Sequence, residues 1–325
     1  MSVLVFLEHH GGEIAKGSLG VLGKAVALNT GDAGGVAAVL AGRGPLTALA
    51  SEAGKFGATT VYLAQDDALD PPLPQPRVDV LEAVVRTGGY DTVLFSNSVL
   101  AADVAAGLAA RLDAGLNWDL VDITRRDGDL VGKRLALQDS VLVDVGWRSP
   151  QRLALFRSGS FDALATGGDA RIEEVAVQLH EHSTVAKIVS QREEHSEGPS
   201  IEDADVIVAG GIGLGAAENF SLAEDLAEVL GGAVGATRAA VYKGWYPHAA
   251  QVGQTGKTVT PKLYVALGIS GAVQHKVGMQ NSKVIVAINK DPNAPIFEFS
   301  DLAVVGDVHT IVPKLIELLR ERKTA

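Results

Sequence analysis

Short apolar runs alternate with longer segments of helical period along most of this chain. Val3–Leu7 (VLVFL), Val36–Leu40, Thr59–Leu63 and Thr92–Phe95 read as strands. Between them, Leu19–Leu28, Pro45–Phe56, Val78–Arg86 and Ala101–Leu112 read as helices. Strands that are apolar throughout, separated by helices, predict a parallel sheet covered on both faces. Asp70–Arg77 (DPPLPQPR) carries four prolines and is expected to be loop, neither helix nor inner strand.

The texture changes after Leu116. Asp127-Gly128 separates short alternating runs, which predicts strands joined by hairpins, and Ala170–Val189 continues in a strand-like pattern. Gln191–Ser200 (QREEHSEGPS) is polar, charged and closes on Gly-Pro, the expected linker. The predicted domains are therefore 1–195 and 201–325.

The second domain repeats the alternation. Strands are expected at Ala204–Ala209, Gly232–Ala236, Lys262–Gly268, Lys283–Ile288 and Leu302–Val305, with helices at Asn219–Leu230 and Val308–Arg322. The fold class is α/β in two domains. The first is a parallel-sheet α/β domain of the nucleotide-hydrolase-like kind with added antiparallel strands, and the second is Rossmann-like.

Composition narrows the functions. The 325 residues are 47% hydrophobic and carry a net charge of −11, which favours a large core and argues against a nucleic-acid surface. There are no cysteines, so disulfide, thiolate and iron–sulfur chemistry are excluded. The start MSVLVFLEHH lacks the pattern of a secretion signal, and no run reaches the ~20 apolar residues of a membrane helix. A cytoplasmic protein, not embedded in a membrane, is expected. His9, His10, His180 and His182 fall in close pairs without metal-ligand spacing and are expected to be structural or solvated.

The candidate chemistry lies where second-domain strands hand over to helices, the edge at which open α/β sheets bind ligands. Gly211, Gly213 and Ala216 nearly complete a G-x-G-x-x-G/A turn, either a pyrophosphate approach or a tight turn with no ligand. A dinucleotide site also wants an acid at the next strand end, where this chain has Thr237 and Arg238. GQTGKT (Gly253–Thr258) is not a phosphate-binding P-loop: the position needing the first glycine is Gln251, and Val259-Thr260-Pro261 lead into a strand. Its Gln254 and Thr255 suit a planar heterocycle instead. Ser270, Gly271, Ala272, Val273, Gln274 and His275 open a third turn, with backbone donors available to an anion.

Three stretches, GATRAAVYKGWYPHAAQVGQTGKT, YVALGISGAVQH and GMQNSKVIVAINKDPNAPIF, closely resemble the alpha subunit of electron transfer flavoprotein in order and spacing. The likeness runs from about Asp205 to Leu319; residues 1–190 resemble the family in organisation only. The resemblance implies one FAD held by the second domain. Thr237 and Arg238 would lie beside the flavin and phosphates, and Val252, Gly253, Gln254 and Thr255 along the ring system, with Thr255 near N5. Ser270 to His275 would hold the pyrophosphate and pyrimidine edge, with His275 near O2. Asn289, Asp307 and Val308 would face the adenosine end. It also implies a heterodimer with a beta subunit, flavoprotein dehydrogenases as donors, as in fatty acid oxidation, and a quinone oxidoreductase or similar acceptor. The chain would be an electron carrier and not an enzyme with substrate chemistry of its own. Two positions depart from the family pattern: Ile212 stands in place of arginine and Thr237 in place of serine. The competing reading is an NAD-dependent two-domain dehydrogenase, which lacks a ribose acid and a proton-transfer pair.

Overall fold

The computed structural model describes residues 1–29, 34–137, 139–190, 200–202 and 204–324, with the side chain of the last not described. The chain divides into two compact units, Met1–Gln191 and Arg192–Ala325. The linker expected at Gln191–Ser200 lies, apart from Ser200, outside the described residues.

The first unit runs β1 (Val3–Leu7), a two-residue hairpin of β2 (His9–His10) and β3 (Glu13–Ile14), α1 (Lys16–Leu28), β4 (Val36–Gly42), α2 (Thr47–Lys55), β5 (Thr60–Gln65), α3 (Pro74–Gly88), β6 (Thr92–Ser96) and α4 (Val99–Leu112). Then follow β7 (Gly115–Arg126), β8 (Asp129–Ala136), β9 (Val141–Val145), β10 (Arg152–Phe156) and β11 (Arg171–Glu174). Nine strands form one sheet in the order β11-β5-β4-β1-β6-β10-β7-β8-β9. The first seven of these are mutually parallel, while β8 and β9 add as antiparallel strands at one edge.

The all-apolar strands follow from this layering. Every residue of β1 is buried. Val3, Val5 and Leu7 pack with Leu22 of α1 and Leu49 and Ala53 of α2, whereas Leu4 and Phe6 pack with Leu81 of α3 and Val104 and Leu108 of α4. A strand buried on both faces has no polar alternation to show.

Three expectations for this unit need correction. The proline-rich segment was expected to exclude helix, yet α3 begins at Pro74. Proline is tolerated in the first helical turn, where its missing N–H has no partner to lose. The buried Arg77 guanidinium then ties down the preceding loop by donating to the carbonyls of Leu69, Pro71 and Leu73. Second, hairpins do not account for the whole stretch after Leu116. Asp127 and Gly128, both at positive φ, do close the β7–β8 hairpin, with Arg126 opposite Asp129. But β10 inserts between β6 and β7 and is parallel to both. Third, of Ala170–Val189 only Arg171–Glu174 is strand; Glu181–Thr184 is a short 3-10 turn.

The second unit contains β12 (Val206–Gly210), α5 (Ser221–Leu230), β13 (Ala233–Thr237), α6 (Arg238–Tyr242), β14 (Gln251–Val252), β15 (Leu263–Leu267), α7 (Val273–Met279), β16 (Ile285–Asn289), β17 (Leu302–Val305) and α8 (Val308–Thr324). Its sheet is parallel throughout, in the order β14-β13-β12-β15-β16-β17. Val208 packs towards Phe220, Leu226 and Val312, and Ile207 and Ala209 towards Tyr264, Met279 and Ile296. The chain winds outwards from β12 in one direction and from β15 in the other. The reversal between them opens a crevice at the carboxyl ends of the strands.

Candidate functional site

Two cavities lie along that carboxyl edge, of about 360 and 370 Å³. They share Ile212 and Ser270. Thr237, Arg238, Val252, Gly253, Gln254, Thr255, Ser270, Gly271, Ala272, Gln274 and His275 line the first. Asn289, Asp307 and Val308 line the second. Val273, half exposed at the start of α7, lies outside both walls. Thus three separate turns meet in the first cavity. Ala239, Tyr242 and Ile269 also line the first cavity, and Lys290, Asp291 and His309 the second, none of them expected from the sequence. Tyr242 was legible in principle, because it sits four residues after Arg238 on one helix face.

The loop after β14 is seated directly on α7. Gln254 N–H donates to the Gln274 carbonyl at 2.7 Å, and Val259 N–H donates to that of Gly278 at 2.8 Å. Gly278 lies so close to Gly253 that a Cβ there would come within 2.3 Å of the Gly253 nitrogen. Gly253 itself has φ +136°, and a Cβ on it would meet the Gln274 oxygen at 2.7 Å. Both glycines are required by this backbone contact.

His275 completes the clamp. Its ring is buried, with Nδ1 3.1 Å from the Val252 carbonyl and Nε2 3.0 Å from the Tyr264 hydroxyl. A carbonyl only accepts, so Nδ1 carries the proton and Nε2 accepts from Tyr264. Burial pushes the imidazole pKa down to about 4, against a smaller upward pull from the Val252 bond. The ring is therefore neutral and both nitrogens are engaged within the protein. It gives the cavity a wall rather than a donor, which differs from the expectation that His275 reaches a flavin oxygen.

The first glycine turn also has a specific use. Gly211 N–H donates to Leu267 and Gly213 N–H to Gly268, each at 2.9 Å. A Cβ on either glycine would come within 2.5 Å of the Gly268 oxygen. These two glycines close the crevice floor by packing β12's loop on β15's, so their amides are not free for a phosphate.

The charge of the first cavity is simple. Among the described residues lining it, Arg238 is the only cation and there is no carboxylate. Its guanidinium lies over the Tyr242 ring, 4.8 Å from the centroid. Thr237 caps α6 through its hydroxyl. The remaining polar groups, on Gln254, Thr255, Ser270 and Gln274, are neutral. In the second cavity, Asn289 donates to the Ile269 carbonyl at 2.8 Å, tying the two loops together, while Asp307 accepts from His309 N–H at 2.9 Å. A cation, neutral hydrogen-bonding groups and an apolar wall in the first cavity suit a planar, electron-rich polar ring. The adjoining second cavity gives such a ligand room for an elongated tail. An FAD-shaped molecule fits this donor set.

Comparison with known proteins agrees over both units. The family profile described as electron transfer flavoprotein domain matches residues 3–180, and that described as electron transfer flavoprotein FAD-binding domain matches residues 200–280. Electron transfer flavoprotein subunit alpha of Mycobacterium leprae (strain TN) is 40% identical over 323 residues, covering 98% of each chain. The subunit of the same name from Mycobacterium tuberculosis (strain ATCC 25618 / H37Rv) is 41% identical over 322 residues, covering 99% of each. That of Bacillus subtilis (strain 168) is 38% identical over 316 residues, covering 95% of this chain and 96% of its own. With a parallel-sheet unit at each end of the likeness and an FAD-binding domain around the crevice, the chain belongs to the electron transfer flavoprotein family, as an alpha subunit.

Proposed function

We propose that this subunit takes electrons from flavoprotein dehydrogenases and passes them to a quinone oxidoreductase or similar acceptor, with no substrate chemistry of its own. It does so in the cytoplasm as a heterodimer with a beta subunit, in pathways such as fatty acid oxidation. FAD, when bound, supplies a ring that takes up and releases electrons. The chain's own residues hold and tune it. Arg238 and Thr237 flank the ring and its phosphates, and Val252, Gly253, Gln254 and Thr255 line the ring face. Ser270, Gly271, Ala272 and Gln274 bring the backbone donors of the third turn, with His275 fixing that turn from behind and Val273 outside the cavity walls. Asn289, Asp307 and Val308 serve the adenosine end.

The observation that carries this reading is the lone guanidinium of Arg238 among neutral donors in the first cavity. A fixed cation stabilises a ring that gains negative charge on reduction. The test is a reductive titration of the chain copurified with its beta subunit. Replacing Arg238 by Ala is expected to lower the flavin midpoint potential by about 30–60 mV, equivalent to roughly 1.4–2.8 kcal/mol for two electrons. An unchanged potential counts against the role. Reoxidation of the reduced complex by a quinone oxidoreductase, and its reduction by a flavoprotein dehydrogenase, test the donor and acceptor classes.

A further inference from the structure

Gln251 lines neither cavity, yet its side chain reaches towards the first from behind. The residue is 1% exposed, and its Nε2 donates to Thr255 Oγ1 at 3.1 Å. Its Oε1 is buried and has no hydrogen-bond partner among the described residues. An unpartnered buried amide oxygen is costly, and an apolar side chain of the same length would fill the space without that cost. Packing therefore does not account for a glutamine here. Among the described residues, the single polar contact of its side chain is with Thr255, which is exposed and lines the cavity.

A threonine hydroxyl has one proton to donate and lone pairs with which to accept. A donor fixed on the protein side occupies a lone pair. The hydroxyl proton is then left for an acceptor inside the cavity. We propose that Gln251 is a positioning residue: by donating to Thr255 Oγ1 it commits the Thr255 hydroxyl to act as a donor towards the ring bound in the first cavity. This rests on the reading above that the ring is that of FAD. The surroundings favour the arrangement. Lys257 N–H donates to the Gln251 carbonyl at 2.7 Å, and Gly256 crosses so near that a Cβ would lie 2.3 Å from that oxygen. The loop thereby closes on itself, with Gln251 at its base and Thr255 near its tip.

The experiment is a double-mutant cycle on the complex with the beta subunit, using Gln251→Met, Thr255→Val and the pair. FAD dissociation constants and flavin absorption spectra are the readouts. Gln251→Met is expected to weaken FAD binding about fivefold and to shift the visible bands when Thr255 is present. In the Thr255→Val background it is expected to do neither. Equal losses in both backgrounds, or none in either, overturn the proposal. If Gln251→Met does not fold, Gln251→Glu at mildly alkaline pH carries the same test, because an ionised carboxylate only accepts and would claim the Thr255 proton. A Gln251→Glu complex with the wild-type spectrum and affinity overturns the proposal equally. A wild-type complex that purifies colourless and takes up no added FAD refutes the FAD reading itself, and the two failures are told apart before any variant is made.

Discussion

At the scale of single residues, two side chains set what the crevice can hold. Ile212 is half exposed and belongs to the walls of both cavities, at the junction where an elongated ligand would pass from one to the other. An arginine there would add a charge-assisted contact to a phosphate, worth about 1–2 kcal/mol at a partly exposed site. Ile212→Arg is expected to tighten FAD binding about tenfold by equilibrium fluorescence titration; no gain would mean that the position does not meet the phosphates. His275 sets a pH limit. Its folded pKa of about 4 lies below the ordinary 6.5, so between those values the unfolded chain binds a proton that the folded chain does not. Its contribution is full above pH 6.5 and is lost as pH falls towards 4, on the order of 3 kcal/mol in total. Urea midpoints measured across that window should fall with pH in the wild type and fall less steeply in His275→Gln.

At the scale of elements, the functional unit is a loop strapped to a short helix. Isolated helices as short as α7 are marginal in water. This one is held by Val259 on Gly278, Gln254 on Gln274 and His275 on Val252. Because the two backbones touch at Gly253 and Gly278, there is no space for a side chain between them. Gly278→Val should cost roughly 2 kcal/mol or more in stability. It should also lift the Gly253–Thr255 loop from α7, so that the purified complex carries substoichiometric FAD by its absorbance ratio. Gly146→Ala, in the first unit, serves as comparison, since an added Cβ there meets nothing within 4 Å.

At the scale of the whole molecule, the two units have separate hydrophobic cores, two clusters in each. A ligand that binds one unit stabilises it by mass action, by about 2.7 kcal/mol at a hundredfold excess over its dissociation constant. Calorimetry with and without FAD is therefore expected to move the transition of the second unit by roughly 10 °C and to leave that of the first nearly in place. A single transition that shifts as a whole would mean that the units unfold together.

The sequence by itself determined the layered α/β plan, because strands buried on both faces must be written as unbroken apolar runs, as Val3–Leu7 and Leu263–Leu267 are. It also marked the three turns of the second unit, since small and polar residues are needed where strands end and a ligand approaches. Local pattern carried no information about what lay across a contact. The buried run of β10 did not say that it slots between β6 and β7. Pro74 looked like a helix breaker until its place in the first turn of α3 was known. Gly211 and Gly213 read equally well as a phosphate cradle, and only their packing on Gly268 assigned their amides. Whether His275 faced the ligand or the core, and whether Gln251 sat in a loop or beneath one, depended on residues far off in sequence: Tyr264, Val252 and the strand pairing of β14 with β13. Hydrogen-bond partners of buried polar groups are set by tertiary contacts, and those contacts decided the chemistry of this crevice.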